Sequence, residues 1–279
     1  MMTSFLIEEG KCGRRLVVTS SWSDEMKQYI LSNPIEELYL NYARGWKGKD
    51  LSFLTTFPGL KAFSIIDWNI DDISSIHALH HLRRLEISTY CKTEIDFSQF
   101  PALEECSLEW RPKAKSIFSC HTLKHLFLNR YSGVDTSKFS ELAELESLSL
   151  ANAPIRNLYG LESLKKLKFL GLYNLRKLEF LCGIEGLIHL ETLEVNGCRS
   201  ITSIKAVENL FNLRKFHFCD DGDIESLQPL ASLTQLKEVL FYESTNIVDG
   251  DLSPLKKLKC LSNISFQDRR HYSHRRRET

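Results

Sequence analysis

Residues 145–235 read as four lines of one pattern: LESLSLANAPIRNLYGLESLKK (145–166), LKFLGLYNLRKLEFLCGIEGLIH (167–189), LETLEVNGCRSITSIKAVENLFN (190–212) and LRKFHFCDDGDIESLQPLASLTQ (213–235). Each line opens with an L-x-x-L-x-L variant: Leu145/Leu148/Leu150, Leu167/Leu170/Leu172, Leu190/Leu193/Val195 and Leu213/Phe216/Phe218, spaced by 22, 23 and 23 residues. A unit of this length cannot bury its own apolar face, so the repetition calls for units stacked around a shared core.

The same spacing extends backward through Leu123/Leu126/Leu128, Leu103/Cys106/Leu108, Leu82/Leu85/Ile87, Leu60/Phe63/Ile65 and Ile35/Leu38/Leu40, and forward through Leu236/Val239/Phe241 and Leu261/Ile264/Phe266. Eleven units result, over residues 35–266. After the strand motif at Leu145, Ile155, Leu158, Leu161 and Leu164 recur every third residue. That period suits a 3₁₀ segment better than an α-helix of 3.6 residues per turn.

The pattern resembles the leucine-rich-repeat family, in the short 22-residue class shared by internalins and a eukaryotic phosphatase regulator. The resemblance implies an α/β leucine-rich-repeat solenoid, a curved horseshoe with a parallel sheet on its concave face and short 3₁₀ or irregular segments on its convex face, and it points to a bacterial protein. With strands ~4.8 Å apart, eleven would run on the order of 50 Å. The family places Asn three residues after the last strand leucine, where its amide bonds the backbone of adjacent turns. Here those positions read Ala43, Trp68, Tyr90, Arg111, Tyr131, Ala153, Leu175, Cys198, Asp221 and Ser244, so irregular turns are expected.

Residues 1–34 lie outside the repeat and read as an amino-terminal cap: a hairpin of Phe5–Ile7 and Leu16–Val18 around Gly10 and Gly13, then a helix capped by Ser23 and ended by Asn33-Pro34. Residues 267–279 read as a carboxyl-terminal cap, His271 to His274, followed by a flexible basic tail from Arg275. The unbroken repeat between them argues for one repeat domain.

Of the 279 residues 43% are hydrophobic, with no run of eighteen apolar residues and no basic-then-apolar leader in MMTSFLIEEG. A soluble, unexported, cytoplasmic chain without membrane association is therefore expected. Eight cysteines without a C-x-x-C pair fit a reducing compartment, and Cys106, at a strand leucine position, reads as a small core hydrophobe. Formal net charge is zero, but residues 269–279 hold five Arg and one Glu, leaving 31 basic against 35 acidic residues elsewhere. So mildly acidic a body is a poor nucleic-acid surface.

Strand alternation identifies the side chains that leave the core. Phe127, Phe169, Tyr173, Leu240 and Tyr242 fall at these outward positions, with Glu86, Glu105, Glu109, Trp110, His125, Arg130 and His217 beside them. Aromatic groups among charges are the composition of protein-binding hot spots. The candidate partner-binding set is Glu86, Glu109, Trp110, Phe127, Arg130, Phe169, Tyr173, His217 and Tyr242, centred on the third to seventh repeat strands. Trp46, in the polar loop NYARGWKGKD, reads as a further exposed contact. Gly45-x-x-Gly48-Lys49 lacks the spacing of a phosphate loop. His77, His80 and His81 have no Cys or acid at ligand spacing, which favours solvated back positions over a metal site.

No catalytic motif is present, and no nucleophile or substrate is specified by the Glu86, Glu105 and Glu109 cluster. The sequence therefore reads as a monomeric, non-enzymatic module, without metal or cofactor, that binds a protein partner on its concave face as an inhibitor or immunity-type binder. The alternatives are a regulatory scaffold of a phosphatase-like enzyme, and binding of nucleic acid or an acidic partner through the Arg-rich tail.

Overall fold

The computed structural model describes residues 4–275. They form two compact units, divided between Leu126 and Phe127.

In the first unit β1 (Phe5–Glu9) and β2 (Arg14–Val18) pair antiparallel. Helix α1 (Asp24–Ser32) starts where Ser23 Oγ accepts the Met26 N–H, with Asp24 and Glu25 in the positive first turn. Met26 and Ile30 are buried, and Tyr29 packs on Phe5 with ring centroids 4.8 Å apart. From β2 the sheet continues in parallel through β3 (Glu37–Asn41), β4 (Ala62–Ile66), β5 (Arg84–Ser88) and β6 (Glu105–Glu109). Register sets Leu38 against Phe63, Phe63 against Leu85, and Leu85 against Cys106. The units divide within β7 (His125–Asn129).

The second unit repeats the arrangement with β8 (Ser147–Ala151), β9 (Phe169–Tyr173), β10 (Thr192–Asn196) and β11 (Lys215–Cys219), all parallel. After β11 the chain makes β12 (Asp223–Ile224), β13 (Glu238–Phe241), β14 (Asn246–Ile247), α2 (Ser253–Lys256) and β15 (Asn263–Phe266). β13 and β15 extend the parallel sheet, while β12 and β14 pair separately. One inward row reads Leu148, Leu170, Leu193, Phe216, Val239, Ile264. Every repeat strand contains the three-residue core expected from the leucine spacing.

Two features keep successive turns in step. The carbonyl of the residue before a strand takes two N–H groups from the next turn: Lys168 and Phe169 donate to Glu146 O, Glu191 and Thr192 to Lys168 O, Arg214 and Lys215 to Glu191 O. On the opposite side short 3₁₀ turns such as Ser52–Thr56, Ser137–Glu141 and Leu161–Ser163 carry the three-residue apolar period. Ile155, Leu158, Leu161 and Leu164 are all fully buried.

The missing asparagines are replaced by several devices. Arg111 is buried, and its guanidinium donates to the carbonyls of Cys91 (2.8 Å) and Thr89 (3.1 Å), supplying the turn-to-turn bonds expected of an amide. Ala153 and Leu175 fill the position with apolar volume. Asp221 Oδ1 accepts the Cys198 N–H (2.6 Å), and the Asp221 N–H donates to Thr245 Oγ1 (3.0 Å), linking three turns. In the second unit the residue leaving the strand adopts left-handed backbone at Arg130, Asn152, Asn174, Gly197 and Asp220, as does Glu243, the second residue after β13. Asn, Asp and Gly take this region readily, whereas Arg130 and Glu243 carry a strain of ~1–2 kcal/mol.

Trp46 corrects the sequence reading: it is 2% exposed, not a surface contact. Gly45 in left-handed backbone turns the loop inward, the Trp46 N–H bonds Asn41 O, and the ring meets Phe53 edge-on. Gly48 lies against the ring, where a Cβ would come within 2.2 Å of it. At the carboxyl end Tyr272 packs among Phe241 and Phe266, its hydroxyl accepts the Ile247 N–H, and the Arg269 guanidinium bonds the carbonyls of Glu243 and Thr245. Residues 276–279 of the expected tail lie outside the described residues.

Leu148→Asp or Leu170→Asp places an unpaired charge in the leucine row, costs several kcal/mol and unfolds the protein. Ser149→Asp, on the outward side of the same strand, leaves the melting temperature within a few degrees. Thermal melts followed by circular dichroism test this ranking.

A second prediction concerns pH. Burial pushes the Asp221 carboxyl up to about 7, and its Oδ2 has no hydrogen-bond partner. Unfolded, the same carboxyl is charged above pH ~4, so the folded state is penalised at pH 8 and the penalty disappears as pH falls through 7 towards 4. Melting temperature should therefore rise between pH 8 and pH 5 in the native chain, and Asp221→Asn should flatten that part of the profile.

Candidate functional site

The outward face of the second unit is crossed by one line of polar contacts. Tyr173 Oη–H donates to Glu194 Oε2 (2.6 Å), Glu194 Oε1 lies 3.6 Å from His217 Nδ1, His217 Nε2–H donates to Glu238 Oε1 (2.5 Å), and Asn263 Nδ2–H donates to Glu238 Oε2 (2.7 Å). The chain links side chains of β9, β10, β11, β13 and β15. Its geometry begins with Gly171, the register partner of Glu194. With no side chain there, the Tyr173 ring lies back over the strand, where a Gly171 Cβ would stand 2.6 Å from Cε2. Burial, then the Glu194 carboxylate, push the Tyr173 hydroxyl pKa upward. Glu238 is held below its usual range first by the Asn263 amide, and further by His217, against the opposing effect of its burial.

Other candidate residues of this unit are placed as follows. Phe127 and Tyr242 are 36% and 37% exposed, and Phe169 is half-buried. Arg130 is exposed on its strained backbone, its N–H bonded to Ala151 O. Tyr173 and His217 are drawn into the polar chain. Glu194, Glu238 and Asn263 complete it; the register of β9 to β15 joins them, and their separation in sequence hid the connection. Glu243 shares the left-handed conformation of Arg130.

In the first unit Glu86 is half-buried at the middle of β5, between Ser64 and Ser107 of its neighbours. Glu109 is a correction to its reading as an outward contact. It is 7% exposed, because the last strand position is a covered one in β6, as it is for Ala151 in β8 and Cys219 in β11. Trp110 is half-buried and packs on Phe118. The sequence reading missed Trp68 and Tyr90, 37% and 57% exposed, whose rings meet at 4.6 Å beyond β4 and β5. Their signal was two successive aromatics at the asparagine position.

Several remaining groups have structural partners. His77 Nε2 accepts the Asp96 N–H (2.9 Å) while Nδ1 faces Ser74 O (2.9 Å), and His80 faces Gln99 O, so these rings join back segments of neighbouring turns. All eight cysteines are free thiols. Burial, and then the Asp221 charge, push Cys198 up to about 12, and burial raises Cys106 further. Thiols so held are poor nucleophiles. No group of three potential metal ligands occurs among the described residues, and no described helix is long and apolar enough to cross a membrane.

No family model and no curated protein matches the sequence. Solved structures do. An internalin (inlF) from Listeria monocytogenes superposes with a TM-score of 0.61 at 21% identity, over 91% of this chain and 87% of that one. Internalin C2 (inlC2) of the same organism gives 0.53 at 21% identity, over 77% and 84%. The functional domain of InlJ, also from Listeria monocytogenes and described as including a cysteine ladder, gives 0.59 at 16% identity, over 80% of this chain and 48% of that one. The leucine rows, the parallel strands and these superpositions agree: this chain has the leucine-rich-repeat fold, in the form seen in the internalins.

Proposed function

We propose that the protein is a non-enzymatic interaction module that binds a protein partner on the outward face of its parallel sheet. The observation that carries this reading is Phe127, in β7, and Tyr242, just past β13, large aromatic groups held open to solvent where folding needs none. Arg130 supports it, because an exposed cationic side chain on left-handed backbone is strain of the kind that gathers at binding sites. The polar line from Tyr173 to Asn263 supplies a rigid floor beside them, with hydrogen-bonding groups already oriented. Binding rather than catalysis is favoured by the protonated, buried thiols Cys106 and Cys198 and by carboxylates engaged in structural bonds.

Residues 1–34 and, within 267–279, the segment up to His274 act in this proposal as the caps of the repeats, with the basic tail following from Arg275. Support comes from the β1 to β2 hairpin with α1, and from Tyr272 and Arg269 folded over the last turns. An inhibitor or immunity-type role is the finer form of the proposal, and the partner would define it.

Affinity capture from the source cell, with mass spectrometry, tests the reading through the dependence of capture on named residues. Phe127→Ala with Arg130→Ala should weaken capture by ~2 kcal/mol or more, while Phe180→Ala, a more exposed aromatic away from the strands, should not. Gly171→Ala displaces the Tyr173 ring and should weaken binding at nearly unchanged melting temperature. Capture insensitive to all three sheet-face changes would refute the assignment.

A further inference from the structure

The hairpin turn between β1 and β2 reaches across the first unit. Gly10 and Gly13 let the turn lie against the carboxyl groups of Glu37 and Glu36, since a Cβ at either glycine would come within 2.4 Å of them. The turn then projects Lys11 to Glu105 of β6, 94 residues away (3.1 Å). Between the turn and the edge where strands begin lies a groove of about 350 Å³, lined by Lys11, Lys61, Arg83, Arg84 and Lys124 with Glu104 and Glu105.

The ion pairs in this groove are unequal. Glu104 is shared by Arg83 (2.9 Å) and Lys124 (3.1 Å), and Glu105 by Arg84 (2.8 Å) and Lys11 (3.1 Å). Each carboxylate thus faces two cations, and each triad retains one positive charge. Lys61 adds a fifth cation whose partner, Glu36, stands at 3.8 Å. The groove already holds carboxylates in their charged form. Glu104 is brought below its usual range by hydrogen bonds from Arg83 and Lys124, and Glu105, against a burial that raises it, by Lys11 and Arg84.

We propose that this groove binds an acidic segment of a protein partner, with carboxylate side chains seated on the residual charge of the two triads. The inference rests on the protein-binding reading and assigns part of the partner's chemistry. An extended peptide presents side chains on one side at ~6.8 Å intervals, so its carboxylates can meet the cations and pass over Glu36 and Glu104. A phosphate backbone carries charge at every step and is repelled where those glutamates interrupt the edge.

Fluorescence anisotropy with a labelled hexaglutamate peptide tests the proposal on the full chain, with hexalysine, oligothymidylate and inorganic phosphate as comparison probes. Hexaglutamate should bind, more weakly as salt is raised. Arg83→Ala with Lys124→Ala should weaken it about fivefold, and Lys168→Ala in the other unit should not. Glu104→Gln leaves its triad with two positive charges and should tighten binding about threefold, a gain that a misfolded variant cannot mimic. The proposal fails if hexaglutamate does not bind at low salt, if Glu104→Gln leaves affinity unchanged, or if oligothymidylate or phosphate binds more tightly than the peptide. Failure here with retained capture through Phe127 and Arg130 removes only the groove assignment. Loss of that capture dependence with hexaglutamate binding intact removes only the sheet-face reading.

Discussion

One turn of 22 or 23 residues cannot bury the leucines it carries, and that constraint shapes the whole molecule. Leu148, Leu170 and Leu193 are shielded from water because each faces the corresponding residue of the next strand. Burial of a leucine side chain is worth ~1.5–3 kcal/mol, so each turn depends on its neighbours for most of its stabilisation. The paired N–H donors on the carbonyls of Glu146, Lys168 and Glu191 add alignment to that stacking. Apolar burial decides that turns stack, and these bonds decide their register.

Stacking leaves freedom in how a turn is finished. The structure uses a guanidinium at Arg111, plain apolar volume at Leu175, and the chain from Cys198 through Asp221 to Thr245. What these solutions share is satisfaction or removal of buried polar groups, which the fold requires, rather than a particular residue. Arg111 and Asp221 meet the requirement incompletely, because Arg111 Nε and Asp221 Oδ2 are buried without a hydrogen-bond partner while Asp221 Oδ1 is bonded. The raised affinity of Asp221 for a proton is the physical result.

The outward face follows different rules, since water can serve any polar group placed there. An organised contact line on such a face needs shape as well as charge. Gly171 supplies the shape by leaving room for the Tyr173 ring, and Glu194, His217, Glu238 and Asn263 continue the line strand by strand. Side-chain contacts on such a face contribute modestly to stability, about 1 kcal/mol each, so their value lies in holding side chains in fixed positions. In the first unit Lys11 and Glu105 do the same for the hairpin turn.

The leucine spacing by itself determined the strand positions, their inward rows and the 3₁₀ character of the back, because each is a direct consequence of where apolar side chains recur; the parallel direction of the strands was implied by the family resemblance. The same spacing placed Cys106 in the core, and local chemistry outside the repeat located Ser23 as a helix cap. Tertiary structure alone decided that Trp46 turns inward, that Glu109 is covered, that Arg111 does the work of an amide, and that Tyr173 and His217 belong to one line with Glu238. Each of these outcomes depends on a neighbour about twenty or more residues away, or on a loop whose backbone path follows from no periodicity. Outward positions obey alternation in the strand interior but not always at the last strand residue, where Glu109, Ala151 and Cys219 are covered. Beyond the strand, burial is set by the path of the next turn.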